Sequence, residues 1–218
     1  MIAENLQALL KNLPKEIQLI AVSKTKPIEA IEEAYQTGQR HFGENKIQEM
    51  AEKYEALPKD IFWHMIGHVQ DNKIKYMAPF VSLVHGMDKE KRLKALNKEA
   101  AKCERVIDCL VQIHIAEEDS KFGFDYSEAE SLFQKNLKES YPNIRVRGLM
   151  GMATFTDDKE QLIREFSALS SFYKSTQALL GADEFNILSM GMSGDYSLAI
   201  EQGSNMIRVG TKIFGGRN

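Results

Sequence analysis

Lys24 is the first residue of this sequence whose type and position suggest chemistry. It follows Ser23 at the end of a nearly continuous apolar run, residues 17–22. An amine at the end of a buried strand loses hydration, which lowers its pKa, and a neutral amine attacks aldehydes. The other interpretation is a lysine whose stem covers apolar surface while its ammonium reaches water. Lys24 is therefore a candidate nucleophile.

Glycines and hydroxyl residues near the C-terminus form a second candidate site, suited to a small anion. Ser193 lies between Gly191 and Gly194 before a predicted short helix, and Gly210-Thr211 follows the last apolar run. Backbone N–H groups, a hydroxyl and flexible glycines are typical ligands of a phosphate. The other interpretation of Ser193 is an ordinary helix N-cap.

Arg208 interrupts the apolar run at residues 206–209. A guanidinium among apolar residues is costly unless it is paired or contacts a ligand. Arg208 is therefore a candidate ligand-binding residue, with a structural ion pair as the alternative. His64 and His68 are four residues apart, but Gly67 between them and the lack of an HExxH glutamate argue against a metal site.

Eight apolar runs of strand length alternate with amphipathic segments of helix length. The predicted strands are 17–22, 40–42, 61–66, 81–85, 106–115, 144–149, 185–188 and 206–209. The predicted helices are 28–38, a segment that follows Asn45 and ends at about 57, 88–103, 127–140, 157–180 and 196–201. Continuous apolar strands separated by helices indicate a parallel sheet buried on both faces. Eight of them predict a single TIM-type (β/α)8 barrel, one domain over residues 1–218, with an extra N-terminal helix at residues 4–10.

A barrel of this kind would bring the candidate residues together. Its functional residues lie at the carboxyl ends of the strands, where the loops that lead into the helices converge. The residues at those ends are Lys24 after the first strand, Asn45 after the second, Ser193 after the seventh, and Arg208 with Gly210-Thr211 at the eighth. The sequence therefore predicts one site at one rim.

Composition narrows the class of protein. The formal charge of −3 and the pI of about 6.0 argue against nucleic-acid binding, which rests on neutralising phosphates. No stretch reaches the roughly 18 apolar residues of a membrane span, and the N-terminus lacks the basic cluster of a secretory leader. Cys103 and Cys109 fit no metal spacing and are expected to be reduced. We expect a cytoplasmic protein without a metal ion.

Seven blocks spread along nearly the whole chain resemble one known family. They are residues 21–27 (AVSKTKP), 42–45 (FGEN), 63–73 (WHMIGHVQDNK), 119–124 (DSKFGF), 147–152 (RGLMGM), 188–193 (LSMGMS) and 207–211 (IRVGT). The family is that of the pyridoxal-phosphate homeostasis proteins, the single-domain relatives of the alanine racemase barrel. The departures are mild: His68-Val69 stands where a leucine commonly precedes the glutamine, and Met190 stands where leucine is usual.

The resemblance implies a cofactor, pyridoxal 5′-phosphate (PLP), and a role for each candidate. The implied cofactor-binding residues are Lys24 as the Schiff-base lysine, Asn45, Ser193, Gly210, Thr211 and the Met192 backbone, the last four at the phosphate, and Arg208 facing the pyridine nitrogen. An arginine does not readily give a proton to that nitrogen, so the ring would be a weaker electron sink than one paired with an aspartate.

The resemblance also implies a function without catalysis. We expect a monomer that stores, buffers or delivers PLP, with apo-enzymes as recipients. Racemases of this fold use a tyrosine from a C-terminal β-domain as second base, and that domain is expected to be absent, since the chain ends at Asn218. One alternative is a minimal racemase with Lys26, His64 or Lys121 as second base. Another is a phosphate-binding barrel without PLP. Lys26 and Lys121 are also candidate amines for passing the cofactor on.

Overall fold

Eight parallel strands close into a barrel in chain order, with the last strand hydrogen-bonded to the first. The computed structural model describes residues 1–118 and 122–216. The strands are β1 (Gln18–Val22), β2 (His41–Glu44), β3 (Phe62–Met65), β4 (Leu83–Met87), β5 (Ile107–Ile113), β6 (Ile144–Gly151), β7 (Ile187–Ser189) and β8 (Met206–Val209). The predicted (β/α)8 barrel is confirmed.

Helices surround the barrel between successive strands. They are α1 (Ile2–Asn12), α2 (Ile28–Gln36), α3 (Ile47–Ala56), α4 (Ile74–Met77), α5 (Glu90–Lys102), α6 (Tyr126–Phe133), α7 (Leu137–Ser140), α8 (Lys159–Leu180), α9 (Tyr196–Glu201) and α10 (Thr211–Phe214). The N-terminal helix before β1 is present as predicted. The sequence did not predict α4 or α10, because a helix of one turn is too short to show a helical repeat.

Two predicted boundaries are wrong for identifiable reasons. The single helix predicted over 127–140 is divided into α6 and α7, because the Asn136 side chain caps α7 by accepting the Glu139 N–H at 3.3 Å. The fourth strand ends at Met87 rather than His85. The strand runs through Gly86, where a Cβ would lie 2.6 Å from the Gly67 carbonyl oxygen, so this position requires a glycine.

The core has two parts. A large apolar cluster fills the space between strands and helices, and its largest fully buried side chains include Trp63, Phe42, Phe166 and Phe185. Each such side chain contributes about 1.5–3 kcal/mol by leaving water. A smaller cluster of Ile20, Leu83, Leu110, Met150 and Met206 fills part of the barrel interior. The interior also holds buried polar side chains, among them His64, His85, Ser189 and Arg208.

No helix in the described ranges is long and apolar enough to cross a membrane. Cys103 and Cys109 are both free thiols, and Cys109 lies fully buried in β5. Burial raises the pKa of the Cys109 thiol well above its usual range, because the thiolate would lose its hydration.

Gly148 is required where β6 passes β7. A Cβ built on Gly148 would lie 1.7 Å from the carbonyl oxygen of Ile187, a backbone atom that cannot move without breaking the strand pairing. We therefore expect Gly148→Ala to lower the free energy of unfolding by about 3 kcal/mol or more. Gly216→Ala is the matched control, since a Cβ there meets no atom within 4 Å. Chemical denaturation of both variants tests this, and equal stabilities would contradict it.

Candidate functional site

The loops after β1, β8 and β7 meet at the carboxyl end of the barrel. Because Ala21 in β1 is paired with Val209 in β8, Lys24 and Gly210 follow neighbouring strands. The Gly210 N–H donates to the Ser193 hydroxyl at 3.2 Å, which joins the loops after β8 and β7. The structure thus places these three predicted site residues along one continuous part of the rim.

Lys24 is carried by a tight turn. The Lys26 N–H donates to the Ser23 carbonyl oxygen at 3.0 Å, and Thr25 adopts a left-handed backbone with φ of 62°. That conformation is unfavourable for a β-branched residue, so surrounding contacts must hold it. One of them is the Thr25 N–H, which donates to Glu49 Oε1 at 2.6 Å. The half-buried Lys24 therefore starts from a fixed backbone position.

A buried ammonium behind this turn holds it to β2 and α3. Lys53 Nζ donates to the Ser23 carbonyl oxygen at 2.8 Å and to Oε1 of both Glu44 and Glu49 at 2.7 Å. The Ser23 hydroxyl donates to the same oxygen of Glu44 at 2.6 Å. We call Ser23, Glu44, Glu49 and Lys53 the Lys53 cluster. Burial raises the pKa of Glu44 to about 7, although the Lys53 ammonium opposes the shift.

The Lys53 cluster makes a specific stability prediction. Lys53→Met removes the cation that opposes the raised pKa of Glu44, so the buried carboxylate must remain without its charge partner or bind a proton, and breaking a buried pair typically costs about 3–5 kcal/mol. We expect the double variant Glu44→Gln/Lys53→Met to be more stable than Lys53→Met, because the uncompensated charge is then gone. Urea unfolding of the three proteins measures this. A double variant no more stable than Lys53→Met would show that the charge pair is not the cause.

The loop after β7 has the shape expected of an anion site, although one of its donors is already used. Gly191 has a left-handed φ of 99°, and a Cβ there would lie 2.7 Å from the Ala199 side chain. The Met192 N–H donates to Asp195 Oδ1 at 2.6 Å, so a bound phosphate would have to replace that carboxylate. Thr211 begins α10 with its side chain exposed.

Arg208 is a buried cation held by neutral acceptors. Its side chain is 3% exposed, and it donates from Nη1 to the carbonyl and hydroxyl oxygens of Ser189 at 3.0 and 2.6 Å and from Nη2 to the Gly151 carbonyl at 3.1 Å. Burial lowers its pKa to about 10, while the Asp195 carboxylate acts in the opposite direction. The described residues form no ion pair with it within 4.0 Å. Three of the five guanidinium N–H groups are used, which leaves donors at Nε and Nη2.

Asn45 lies half-buried directly after β2, next to the turn that carries Lys24. A Cβ on Gly67 would lie 2.5 Å from the Asn45 carbonyl oxygen, so Gly67 allows the loops after β2 and β3 to pack closely. The predicted contact of Asn45 with a ligand stays a prediction.

The candidate second bases lie in different places. Lys26 Nζ donates to the carbonyl oxygens of Phe214 and Gly216 at 3.1 and 2.9 Å, so it holds the C-terminal segment. His64 is 3% exposed within the barrel and is hydrogen-bonded to two other histidines. Lys121 lies outside the described residues. Neither described candidate has its nitrogen available at the rim.

Sequence reasoning missed several residues that shape this site. They are Glu44 and Lys53 behind the Lys24 turn, and His85 and Ser189 in the barrel interior. The signal that identified Arg208, a polar residue within an apolar strand, also applies to His85 and Ser189. Lys53 gives no such signal, because a lysine on a helix is ordinarily solvated.

The sequence pattern of the alanine racemase N-terminal domain matches residues 1–218. Fold and pattern place the chain in the class of barrels that form this domain. It is 40% identical over 210 residues to the pyridoxal phosphate homeostasis protein of Vibrio alginolyticus, covering 94% of this chain and 88% of that protein. The protein of the same name from Aquifex aeolicus is 37% identical over 205 residues, covering 92% and 87%. The chain therefore belongs to the pyridoxal phosphate homeostasis protein family.

Solved structures agree with this relationship. PipY of Synechococcus elongatus without PLP superimposes with a TM-score of 0.93 at 34% identity, covering 99% of this chain and 100% of that chain. The PipY structure with PLP bound gives a TM-score of 0.86 over the same shares. Alanine racemase from E. faecalis shares the fold, with a TM-score of 0.74 at 18% identity over 99% of this chain and 58% of the racemase.

Proposed function

We propose that this protein binds PLP through a Schiff base on Lys24 and stores, buffers or delivers it to apo-enzymes inside the cell. The observation that carries the proposal is the buried Arg208, which has no carboxylate of the described residues within 4.0 Å and whose remaining donors suit a ligand atom. Arg208 lies on β8, beside the strand that leads to Lys24. The family relationship supports the same ligand, since PipY binds PLP.

Lys24 would make the covalent bond. Its neutral Nζ attacks the aldehyde carbon and the carbonyl oxygen leaves as water, so a C=N bond replaces C=O without oxidation or reduction. When bound, PLP supplies an electrophilic carbon conjugated to an electron-withdrawing ring. An incoming amine can replace the lysine nitrogen in the C=N bond, and this exchange lets a carrier release its ligand. The Lys53 cluster supports this role by fixing the turn from which Lys24 extends.

The other rim residues fit the remaining parts of the molecule. Hydroxyls and backbone N–H groups suit a phosphate, and the donors of Arg208 suit the pyridine nitrogen. The proposed phosphate ligands are the Ser193 and Thr211 side chains with the backbone of Met192 and Gly210, and Asn45 is proposed to contact the ring side of the site. The donor set therefore suits the ligand at both ends.

We propose that the protein is not an enzyme. Racemisation needs an acid and a base on opposite faces of the substrate carbanion. Two of the three candidate second bases are engaged elsewhere, Lys26 with the C-terminal carbonyls and His64 inside the barrel. Arg208 at the ring nitrogen also disfavours carbanion chemistry, because it retains its own proton. The competing function is a minimal racemase with Lys121 as second base.

Exchange of the amino-acid Cα proton with deuterated water separates these two functions. We expect the PLP-loaded protein to exchange alanine and other amino acids no faster than free PLP at the same concentration, because neither described candidate, Lys26 or His64, has its nitrogen available as a second base. Lys24→Ala, loaded under the same conditions, is the control. Stereospecific exchange well above that of free PLP, and lost in Lys24→Ala, would establish the racemase instead.

A further inference from the structure

Three histidines and a serine form a continuous line of hydrogen bonds through the barrel. His41 Nδ1 contacts His64 Nε2 at 3.0 Å, and His64 Nδ1 contacts His85 Nε2 at 3.0 Å. His85 Nδ1 contacts the Ser189 hydroxyl at 3.1 Å, which accepts from Arg208 Nη1 at 2.6 Å. We call His41, His64, His85 and Ser189 the histidine chain. It joins β2, β3, β4 and β7 to the guanidinium on β8.

The histidine chain is an unusual filling for the interior of a barrel. The interiors of such barrels are filled mainly by branched apolar residues, and the interior cluster around Ile20 and Leu110 follows that rule. Imidazoles there lose hydration and must recover it through hydrogen bonds. The chain uses both ring nitrogens of His64 and of His85, so the two fully enclosed rings are satisfied. Because this line of buried polar side chains ends at Arg208, it indicates a role that involves Arg208.

The direction of these hydrogen bonds follows from Arg208. A guanidinium only donates, so Ser189 Oγ accepts from it. In the described residues the only other partner of this hydroxyl is His85 Nδ1, which therefore receives its proton. By the same logic we assign Nε2–H tautomers to His85 and His64, each donating to the next ring toward His41. Burial lowers the pKa of all three histidines, that of His64 to about 3, so the neutral rings are the expected ones.

The far end of the chain reaches solvent. His41 is half-buried, stacks on Phe62 at 4.7 Å, and lines a hollow of about 370 Å³ at the amino end of the barrel. Two carboxylates, Glu16 and Asp108, line the hollow near His41, and Asp108 is paired with Arg145. At the other end of the histidine chain is Arg208, on which the Asp195 carboxylate acts electrostatically. A proton gained by His41 would give both of its ring nitrogens an N–H. His64 and His85 would then change to Nδ1–H tautomers, and Ser189 would keep its proton, turn it away from His85 and accept from both His85 and Arg208.

We propose that the histidine chain positions Arg208 and couples its hydrogen bonding to the protonation state of His41 at the opposite end of the barrel. His41, His64, His85 and Ser189 are positioning residues, which act through Arg208. The consequence for the ligand rests on the proposed function, because it requires PLP to lie against Arg208. The polarity of the chain itself does not depend on that ligand.

The ligand-free protein tests the polarity. Nitrogen NMR of the imidazoles is expected to show His64 and His85 as neutral Nε2–H tautomers near neutral pH. In Ser189→Ala the hydroxyl that fixes His85 is gone, so we expect its tautomer to become mixed. An Nδ1–H tautomer at His64 or His85 in the wild type would overturn the assignment, as would charged rings near neutral pH.

The PLP-loaded protein tests the coupling. We expect the visible absorption band of the wild type to shift as pH falls below 6.5. That is the ordinary pKa of a histidine, and burial lowers the pKa of His41 from it. The shift should be lost in His64→Leu, which cuts the chain, and kept in His68→Gln, whose ring contacts Arg92 outside the chain. His41→Phe removes the titrating end without opening the interior, should His64→Leu fold poorly. Wild-type pH profiles in both chain variants would overturn the coupling.

The two tests separate this proposal from the proposed function. We also expect Ser189→Ala to weaken PLP binding about ten-fold, the effect of one hydrogen bond to a charged group. If the wild type takes up no PLP, both the proposed function and the coupling to the ligand fail. The NMR measurement then still decides whether the chain has the assigned polarity.

Discussion

Alanine at position 24 is expected to abolish the visible absorption band of the PLP-loaded protein and its covalent retention of the ligand. Only an amine close to the aldehyde can form the C=N bond, and two neighbouring amines of the described residues, Lys26 and Lys53, are held elsewhere. Lys26 Nζ is bonded to the carbonyl oxygens of Phe214 and Gly216, and Lys53 Nζ is held by Glu44 and Glu49. The measurement is the absorption spectrum and the retained PLP after dialysis.

Lys46→Ala is the matched control for this experiment. Lys46 is an exposed lysine at the same rim, one residue past Asn45, so its loss changes the local charge equally. We expect it to keep the band and the bound PLP. A band of wild-type strength in Lys24→Ala would move the covalent site to another lysine, and the same measurement on Lys26→Ala and Lys121→Ala would identify it.

Removing the phosphate from the ligand is expected to weaken binding by several decades. Each charge-assisted hydrogen bond that is lost costs about 1.5–3 kcal/mol, roughly one to two decades of affinity. The rim offers more than one such donor, because the Ser193 and Thr211 hydroxyls lie beside the Gly210 N–H, which donates to the Ser193 hydroxyl at 3.2 Å and would turn to the phosphate. Equilibrium titration of the apo-protein with pyridoxal and with PLP measures the difference.

Single-residue variants show which side chain accounts for the affinity that the phosphate contributes. We expect Ser193→Ala to lower the affinity for PLP by about one decade and to leave the affinity for pyridoxal unchanged. Ser197 is an exposed serine in the first turn of α9. Ser197→Ala is therefore the control, and it should change neither the affinity for PLP nor that for pyridoxal. Equal affinities of the wild type for pyridoxal and PLP would place the phosphate outside this loop. An equal loss for both ligands in Ser193→Ala would point to a structural role.

The barrel was predictable from the sequence because each β-strand is a local apolar run, and the eighth strand was predicted with its observed bounds, Met206–Val209. The errors lie where short-range contacts decide. Asn136 starts a second helix through its own side chain, and the fourth strand runs through a glycine, Gly86, that another backbone approaches closely. Such contacts depend on the packed structure, so a hydrophobic pattern does not report them.

The candidate site was predictable to the extent that it lies at strand ends. Lys24, Ser193 and Gly210 come together because parallel strands bring their carboxyl ends to one rim. The groups that hold them were not predictable in the same way. Lys53 lies on a helix and meets the Lys24 turn only after folding, and the histidine chain requires four strands in register. The positions of residues along the sequence therefore predicted the site at the rim, but not the Lys53 cluster and the histidine chain that hold it.

Borohydride reduction of the PLP-loaded wild-type protein, followed by mass mapping of its peptides, tests the central claim most directly. Reduction converts the C=N bond to a stable amine and so records which lysine carried it. We predict one phosphopyridoxyl group per chain, on the peptide that contains Lys24, and none when PLP is omitted. A reduced protein without the added mass, or with the group mainly on Lys26 or Lys121, would contradict the account.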